Sequence, residues 1–188
     1  MLSAASRCSV AADASVRIAG LNDAPAVGVV QAAVFSAAYA DRLPAEVLAA
    51  FQPAAFARAW AASLREPPPG IHRLLVACAG AQVVGVAAVG PAQDPDAESL
   101  WAEVSLLGVH PQARHQGHGS RLLQAAVDTV TQAGASDLAV WLPADDEETR
   151  RFLEEAGFGP DGAYRDRLVA PPEGTLREVR LRCGLVER

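Results

Sequence analysis

The stretch EVSLLGVHPQARHQGHGSRLLQAAV, from Glu103 to Val127, decides how the rest of the chain is arranged. Its first part predicts a strand over residues 100–109, in which alternate residues share one face. That face is predicted to carry Trp101, Glu103, Ser105, Leu107 and Val109. Pro111 ends the strand, because proline cannot donate to a strand ladder. Apolar residues at helical spacing then predict an amphipathic helix, with Leu123, Val127 and Val130 on its inner face.

Between the strand and the helix lies a turn with two glycines, Arg114-His115-Gln116-Gly117-His118-Gly119. Glycine tolerates positive φ and lets a bulky ligand approach the backbone. The first turn of a helix also has free N–H groups and the positive end of the helix dipole, so this turn is predicted to bind a phosphate. Two other phosphate motifs fit less well. A P-loop needs Lys-Ser/Thr where Ser120-Arg121 stands, and a dinucleotide fingerprint needs glycine where Leu122 stands.

The same stretch resembles the acetyl-CoA motif of the GNAT superfamily, the general-control-related N-acetyltransferases. That family has Arg/Gln-x-x-Gly-x-Gly/Ala after a strand ending in Val-x-Pro, and here Arg114, Gly117 and Gly119 follow Val109-His110-Pro111. The resemblance implies that acetyl-CoA is the cosubstrate and that a strand backbone pairs with its pantetheine, at Leu107, Gly108 and Val109. It implies that Arg114 and the following loop hold the pyrophosphate, through the amides of His115, Gln116, Gly117, His118, Gly119 and Ser120.

The remaining elements follow from periodicity and turn residues. The predicted order is β-α-α-β-β-β-α-β-α-β-β, with a hairpin at Gly80-Ala81 and a helix that is capped by Asp145 and ends at Gly157. Strands gathered around few helices favour a mixed α/β sheet. This order is also the GNAT order over residues 16–184. The resemblance therefore implies a mostly antiparallel seven-stranded sheet, flanked by about four helices and splayed between the fourth and fifth strands.

Length and composition set the broad class. The 188 residues predict one domain over 16–184, after a small, polar stretch, residues 1–15, that is predicted to be a disordered leader. The segment lacks the pattern of a signal peptide, and no apolar run reaches membrane-spanning length. Cys8, Cys78 and Cys183 show neither metal spacing nor a disulfide framework, which favours a reducing cytoplasm. The net charge of −6 argues against nucleic acid as a partner.

Glu103 is the candidate catalytic residue, because it is the acidic residue inside the central strand. It lies eleven residues before Arg114, where histone-type members of the GNAT family carry their base glutamate. A carboxylate there can take a proton from an ammonium group or orient the acceptor. The alternative is a structural carboxylate paired with an arginine of the last strand.

The sequence departs from the family at a second position. Many members carry Asn-x-x-Ala-x-x-Phe-Tyr, whose tyrosine donates a proton to the departing thiolate, and here Leu153 stands in the tyrosine place. Leu153 is predicted to point at the sulfur end of the cofactor. Tyr39 and Asp41 are candidates for acceptor contact, because the resemblance places their loop beside the acceptor. His110, His115 and His118 lack the spacing of metal ligands, so no metal is predicted.

These observations predict an acetyl-CoA-dependent N-acetyltransferase that acts on the primary amine of a small molecule or peptide by direct attack in a ternary complex. The acidic loop of residues 92–99 and the net charge suggest a cationic acceptor. The resemblance also makes a homodimer one expected assembly. The alternative function is a regulatory or catalytically degenerate acetyl-CoA-binding module, which the leucine at position 153 favours. A donor with a longer acyl chain is a further enzymatic variant.

Overall fold

The computed structural model of the chain describes residues 14–170 and 174–185. Its elements are β1 (Ala14–Ile18), α1 (Ala24–Tyr39), α2 (Ala45–Leu48), α3 (Pro53–Arg65), β2 (Arg73–Ala79), β3 (Gln82–Pro91), β4 (Trp101–Val109), α4 (His118–Gln132), β5 (Asp137–Pro143), α5 (Glu147–Glu155), β6 (Gly159–Ala170) and β7 (Gly174–Gly184). Short 3-10 turns at Leu21–Asp23 and Pro111–Ala113 precede α1 and α4. In these ranges no helix is long and apolar enough to cross a membrane.

The seven strands form one sheet in the order β1-β2-β3-β4-β5-β7-β6. Neighbouring strands are antiparallel except for β4 and β5, which run parallel. The last two strands form a hairpin, and its second strand is the one that pairs with β5. The mixed, mostly antiparallel sheet predicted from the sequence is confirmed. The helices exceed the predicted number because α2 is a separate four-residue helix after Pro44.

The sheet opens between its two parallel strands. β4 and β5 pair only from Trp101–Asp137 to Val104–Val140. Past that point β4 stays on β3 up to Val109, whereas β5 stays on β7 up to Pro143. The two halves of the sheet therefore separate after four residue pairs, which confirms the predicted splay and leaves one edge of β4 without a neighbouring strand.

A β-bulge at Ser105 reverses which residues of β4 face which side of the sheet. Leu106 pairs with Ala88 and Val104 pairs with Val89, so Ser105 has no partner of its own. Val104 packs with the core on the α4 side, whereas Leu106 packs with the core under α1. The prediction that Glu103 and Ser105 share a face with Leu107 and Val109 is therefore wrong. An extra residue shifts the alternation by one, which the sequence of a single strand does not reveal.

The sheet is covered by helices on both faces. On one face α4 buries Leu122, Leu123, Ala126 and Val130 against the sheet, while Val127 lies at the margin of this core and is partly buried. On the other face α1 buries the predicted Val27, Val30 and Val34. Gly28 allows α3 to approach α1 closely, because a Cβ there would lie 2.8 Å from the backbone nitrogen of Ala57. Both faces of the central strands are thus buried in apolar cores.

Two predicted boundaries change. The first strand begins at Ala14, so residues 14 and 15 belong to the sheet and not to the predicted leader, whose residues 1–13 lie outside the described residues. The cap of α5 is Asp146 and not Asp145. The side chain of Asp146 accepts hydrogen bonds from the N–H and the hydroxyl of Thr149, at 3.1 and 2.9 Å.

Candidate active site

A cavity of about 940 Å³ occupies the opening in the sheet. Its walls come from the unpaired half of β4, the start of α4, the first turns of α5, the α1–α2 region, and the β6–β7 hairpin. The volume lies within the range of natural ligand pockets. The cavity brings together nearly all the cofactor residues predicted from the sequence, namely Leu107, Gly108, Val109, Arg114, His115, Gly117, His118, Gly119 and Ser120. Gln116 is not among the residues that line it.

The loop before α4 presents a row of free backbone N–H groups. His115 and Gly117 have positive φ, 58° and 78°, so the backbone curls around the helix start. The first helical hydrogen bond is donated by the Arg121 N–H to the Gly117 carbonyl, at 3.2 Å. Within the described part of the chain the amides of residues 115–120 meet no acceptor. Gln116 contributes its carbonyl, which accepts from Arg121 Nη1 at 3.2 Å and holds the loop. The arrangement suits an anion such as a phosphate.

The open edge of β4 has its own polar groups. His110 N–H donates to the Val84 carbonyl at 2.8 Å, which fixes the pattern of the ladder with β3. Because hydrogen-bonded pairs alternate in an antiparallel ladder, Gly108 bonds to β3, whereas Leu107 and Val109 direct their N–H and C=O groups into the opening. Arg114 Nε donates to the Val109 carbonyl at 3.4 Å. Gly108 lacks a side chain for a different reason, since its Cβ would lie 2.6 Å from Val34 Cγ1.

His118 lies in the first turn of α4 and is almost fully buried. Burial, with a smaller contribution from Arg121, lowers the pKa of its imidazole. Its Nδ1 has no hydrogen-bond partner in the described structure. The side chain is therefore neutral near pH 7 and acts as part of the cavity wall. No group of three or more potential metal ligands occurs in residues 14–170 and 174–185.

Glu103 reaches the same cavity from the last paired part of β4. It makes no ion pair with any described residue, so the alternative of a structural carboxylate paired with a β7 arginine is not found. Burial, and secondly the charge of Asp94, raise the pKa of Glu103, while Arg165 and Arg167 act in the opposite direction. A carboxylate with a raised pKa that lines a cavity is a stronger base than an ordinary glutamate and is suited to acid–base chemistry.

The leucine in place of the family tyrosine lies at the boundary between the core and the cavity. Leu153 has no exposed surface and packs in the core on the α4 side, and it is also one of the residues that line the cavity. Its orientation toward the sulfur end of the cofactor stays a prediction. Phe152, the preceding residue, is the partly buried side chain of α5 that approaches the loop, and its ring would lie 3.7 Å from a Cβ at Gly119.

The α1–α2 wall is aromatic. Tyr39 lines the cavity, as predicted, and its ring packs near Phe35 and Phe51 with centroids 5.6 and 6.3 Å away. Burial is the main reason why the pKa of the Tyr39 phenol is raised, so the phenol keeps its proton. Asp41 is not among the residues that line the cavity.

Two cavity residues were missed from the sequence. Arg165 and Arg167 line the cavity from β6, and both lie close to the buried carboxylate of Glu178 on β7. The signal was present as an Arg-x-Arg alternation within a predicted strand. It could not be assigned to the site, because residues 165 and 167 lie 38 and 40 positions beyond Val127, the end of the central stretch, and meet that stretch only through the strand order.

An open sheet, an amide-rich helix start and a cavity between them describe an enzyme that binds a phosphorylated cofactor in extended form. The model of the acetyltransferase (GNAT) family matches residues 35–158, and the chain belongs to that family. Acetyl-CoA is the acetyl donor of GNAT acetyltransferases. The sequence-based assignment of the fold and of the acetyltransferase family, whose members use acetyl-CoA, is thus confirmed.

Among curated relatives, mycothiol acetyltransferase of Saccharopolyspora erythraea is 36% identical over 84 residues, which are 45% of this chain and 25% of that protein. The chain therefore matches about a quarter of the length of this relative. Among solved structures, PaiA N-acetyltransferase from Thermoplasma acidophilum, in complex with coenzyme A, is 14% identical with a TM-score of 0.71 and covers 91% and 98% of the two chains. YncA from Salmonella typhimurium, with acetyl-CoA, is 18% identical with a TM-score of 0.67, and the coverage is 93% and 95%. At these identities the two structures show the fold.

Proposed function

We propose that the protein transfers an acetyl group from acetyl-CoA to the primary amine of a small molecule or peptide, by direct attack in a ternary complex. The observation that carries the proposal is that one cavity unites the open β4 edge, the free amides before α4 and the unpaired Glu103. The first two features can hold an extended cofactor with a phosphate end. The third supplies the acid–base group that an amine acceptor requires.

The cofactor assignment follows from the free polar groups. The amides of residues 115–120 are donors for the pyrophosphate, with the α4 dipole adding to their attraction. The N–H and C=O groups of Leu107 and the N–H of Val109 are available to the pantetheine amides, in the manner of a strand added to a sheet edge. Gln116 serves as a support of the loop, since Arg121 binds its carbonyl.

The chemical step needs the amine as a free base. Acetyl-CoA supplies an acetyl thioester, whose carbonyl carbon the amine nitrogen attacks as the C–N bond forms and the C–S bond breaks. Glu103 takes one proton of the ammonium group before the attack, directly or through water, and the second proton, which the nitrogen loses as the amide forms, goes to the departing thiolate or to water. The N–H groups at the open β4 edge are the hydrogen-bond donors available to stabilise the negative charge that develops on the carbonyl oxygen. The thiolate leaves without a dedicated acid, because a thiol with a pKa of about 8.5 is a good leaving group.

Of the predicted reasons for a cationic acceptor, this proposal keeps the charge of Glu103 and leaves out the acidic loop. The acceptor arrives as an ammonium ion, and Glu103 is the carboxylate that attracts it. The acidic loop does not contribute, because Asp94 and Asp96 bind Arg180 at 3.2 and 2.6 Å. We also propose a cytoplasmic location, consistent with the free thiols of Cys78 and Cys183, and homodimerisation, which sedimentation of the purified chain would test.

The decisive experiment has two arms. Calorimetry measures whether acetyl-CoA binds, and thiol release in the presence of a primary-amine library measures whether the acetyl group moves. Binding with acceptor-dependent thiol release supports the proposal. Binding without release from any amine would favour the degenerate or regulatory module, and release with longer acyl-CoA but not acetyl-CoA would reassign the donor.

A further inference from the structure

The β6 wall of the cavity is cationic. Alternate residues of β6 point to opposite sides of the sheet, so that Arg165, Arg167 and Val169 line the cavity, whereas Tyr164 and Leu168 are exposed on the outside. The fold does not require two arginines that point inward from this edge strand, because apolar residues could pack this wall. The pair therefore invites a functional explanation.

The two guanidinium groups are held in place from behind. Glu178 Oε2 accepts a hydrogen bond from Arg165 Nε at 2.6 Å and lies 3.1 Å from Arg167 Nη2, and Glu178 is almost fully buried. Arg165 also lies over the ring of Trp141, with 4.2 Å between its Cζ and the ring centroid. These contacts fix the direction of both groups. Both arginines share the same oxygen, Oε2 of Glu178.

Most of the donors on these arginines remain open. Arg165 Nε makes the one hydrogen bond that either guanidinium forms within residues 14–170 and 174–185. Arg165 Nη1 is 3.8 Å from Asp94 Oδ1, an ion pair beyond hydrogen-bond distance. Each guanidinium has five N–H donors in a planar fork, a geometry that matches both oxygens of a carboxylate. Preorganised, partly desolvated guanidinium groups of this kind are suited to bind a planar oxyanion.

The neighbouring carboxylates offset the charge of this wall only in part, because the two guanidinium groups share one close carboxylate, that of Glu178. Glu178, Asp94, Asp96 and Asp161 are not among the residues that line the cavity, and the three aspartates bind Arg180. On the α5 wall, Asp145 pairs with Arg42 at 2.9 Å and Asp146 caps its own helix. Glu147, which lies 4.0 Å from Arg150, and Glu148 also line the cavity on this wall. Glu103, Arg165 and Arg167 all line this cavity, and the two arginines act against the rise in the pKa of the Glu103 carboxyl. An amine at Glu103 and an anionic group at the two arginines would therefore occupy the same cavity.

We propose that the acceptor is a zwitterion of the amino-acid type, whose amine faces Glu103 while its carboxylate binds Arg165 and Arg167. This inference rests on the proposed N-acetyltransferase function and narrows its substrate class. An ammonium and a carboxylate in one small molecule match the two signs of charge that this part of the cavity presents. An acceptor with a second cationic group in place of the carboxylate would be disfavoured, because that group would lie beside two guanidinium ions of the same charge.

The test compares matched acceptors. Thiol release from acetyl-CoA is measured with the L-α-amino acids, β-alanine and γ-aminobutyrate, each against its carboxamide, which keeps the amine and removes the negative charge. Calorimetry of the same compounds with the CoA-loaded protein gives binding without turnover. We expect at least one acid to exceed its carboxamide at least tenfold in kcat/KM, which corresponds to about 1.4 kcal/mol.

The variant that tests the assignment is Arg167→Gln, because this residue is half-exposed and does not carry the hydrogen bond to Glu178. We expect the ratio of kcat/KM between the acid and its carboxamide to fall to near one, mainly through a higher KM for the acid. Arg167→Lys keeps the charge without the fork, so an intermediate ratio is expected. Arg177→Gln is the control, since Arg177 pairs with Asp166 on the exposed side of the hairpin and does not line the cavity.

The two proposals fail in different ways. If acetyl-CoA does not bind and no amine releases thiol, the acetyltransferase function falls, and this inference with it. If carboxamides and simple amines match the acids in the wild type, or if the ratio survives Arg167→Gln, the zwitterionic acceptor is wrong while the acetyltransferase stands. If no acid of the set either binds or reacts, the inference is overturned as well.

Discussion

At the scale of single residues, the site depends on side chains whose surroundings change their chemistry. Glu103 has no ion-pair partner, and its burial favours the protonated form. His118 is kept neutral by the same effect acting on a base. Gly108 and Gly119 matter because they have no side chain. A Cβ at Gly108 would clash with Val34, and a Cβ at Gly119 would enter the space beside Phe152. The effects of these residues on activity can therefore be separated by conservative substitutions.

Replacement of Glu103 by glutamine tests its role as a base. We expect Glu103→Gln to lower turnover roughly 10²-fold, with KM for the acceptor changed much less. Because the pKa of Glu103 is raised above 4.5, wild-type activity is lost on the acid side at a higher pH than an ordinary glutamate would cause. The deficit of the variant shrinks at high pH, where the amine is already deprotonated. Steady-state kinetics across pH, with Glu98→Gln in the exposed loop as control, measure this.

A higher KM with unchanged turnover in Glu103→Gln would assign the residue to acceptor orientation instead of proton transfer. Wild-type values for both constants would remove Glu103 from the mechanism.

The loop before α4 is best tested at its second glycine. Gly117 has a φ of 78° and Arg121 Nη1 would lie 3.0 Å from its Cβ, so a substitution there strains the protein itself. Gly119 has ordinary helical geometry, and its Cβ would make only a normal contact with Phe152. We expect Gly119→Val to fold and to weaken acetyl-CoA binding about tenfold or more in calorimetry, as the loss of roughly one hydrogen bond would. Gly159→Val is the control, because Gly159 lies outside the cavity lining and its Cβ would have no atom within 4 Å. Undiminished affinity in a folded Gly119→Val would reject the loop as the pyrophosphate site.

At the scale of elements, the sequence indicated most strands and helices but not their relations. The hairpin at Gly80, the strand before Pro111 and the valine face of α1 were all predicted, because each rests on local periodicity or turn chemistry. The bulge at Ser105 was not, since it exists only as a mismatch between β3 and β4. The cap at Asp146 was missed by one residue, because Asp145 has the same chemistry and only the backbone distinguishes them.

The β6–β7 hairpin is joined to the loop before β4 by charges that the sequence did not connect. Arg180 is almost fully buried and binds Asp94, Asp96 and Asp161 at 3.2, 2.6 and 2.8 Å. Its guanidinium also lies 5.3 Å from the Trp101 ring centroid. This cluster fastens the loop over the sheet beside the open part of β4. Its loss is expected to loosen the wall that carries Arg165.

Replacement of Arg180 by methionine tests the cluster. We expect Arg180→Met to lower the free energy of unfolding by roughly 3 kcal/mol at pH 7, because the largely buried side chains of Asp94 and Asp161 lose their counter-charge. Urea denaturation measures this, and Arg177→Met, which breaks an exposed pair, is expected to change the free energy of unfolding little.

The contribution of the cluster depends on pH. Arg180 holds the pKa of Asp96 below 3.8, so the stabilisation of the fold by this pair is present above the unfolded-state pKa and is lost as pH falls. The difference between variant and wild type should therefore shrink in acid. Equal stability at pH 7 would mean that the cluster is not a stabilising unit.

At the scale of the whole molecule, function follows from a sheet that stays incompletely paired. The family resemblance predicted this opening, and the register shows that it begins after Val104 and Val140. The part of the cavity that is proposed to hold the cofactor could be predicted from one continuous stretch, residues 103–120, because strand, loop and helix start are consecutive there. The proposed acceptor side could not, because it is assembled from α1, β4 and β6, which come together only in the folded sheet.

The alternation along the open half of β4 has a consequence for the exchange of amide protons with solvent. The N–H of Gly108 is locked in the ladder with β3, while those of Leu107 and Val109 on either side face the opening. Deuterium uptake in the free protein should accordingly be fast, slow and fast along three consecutive positions of a central strand. Bound acetyl-CoA would slow deuterium uptake at the two fast positions and leave the middle position unchanged. The middle amide would therefore report on the stability of the sheet, and its two neighbours on the binding of the ligand.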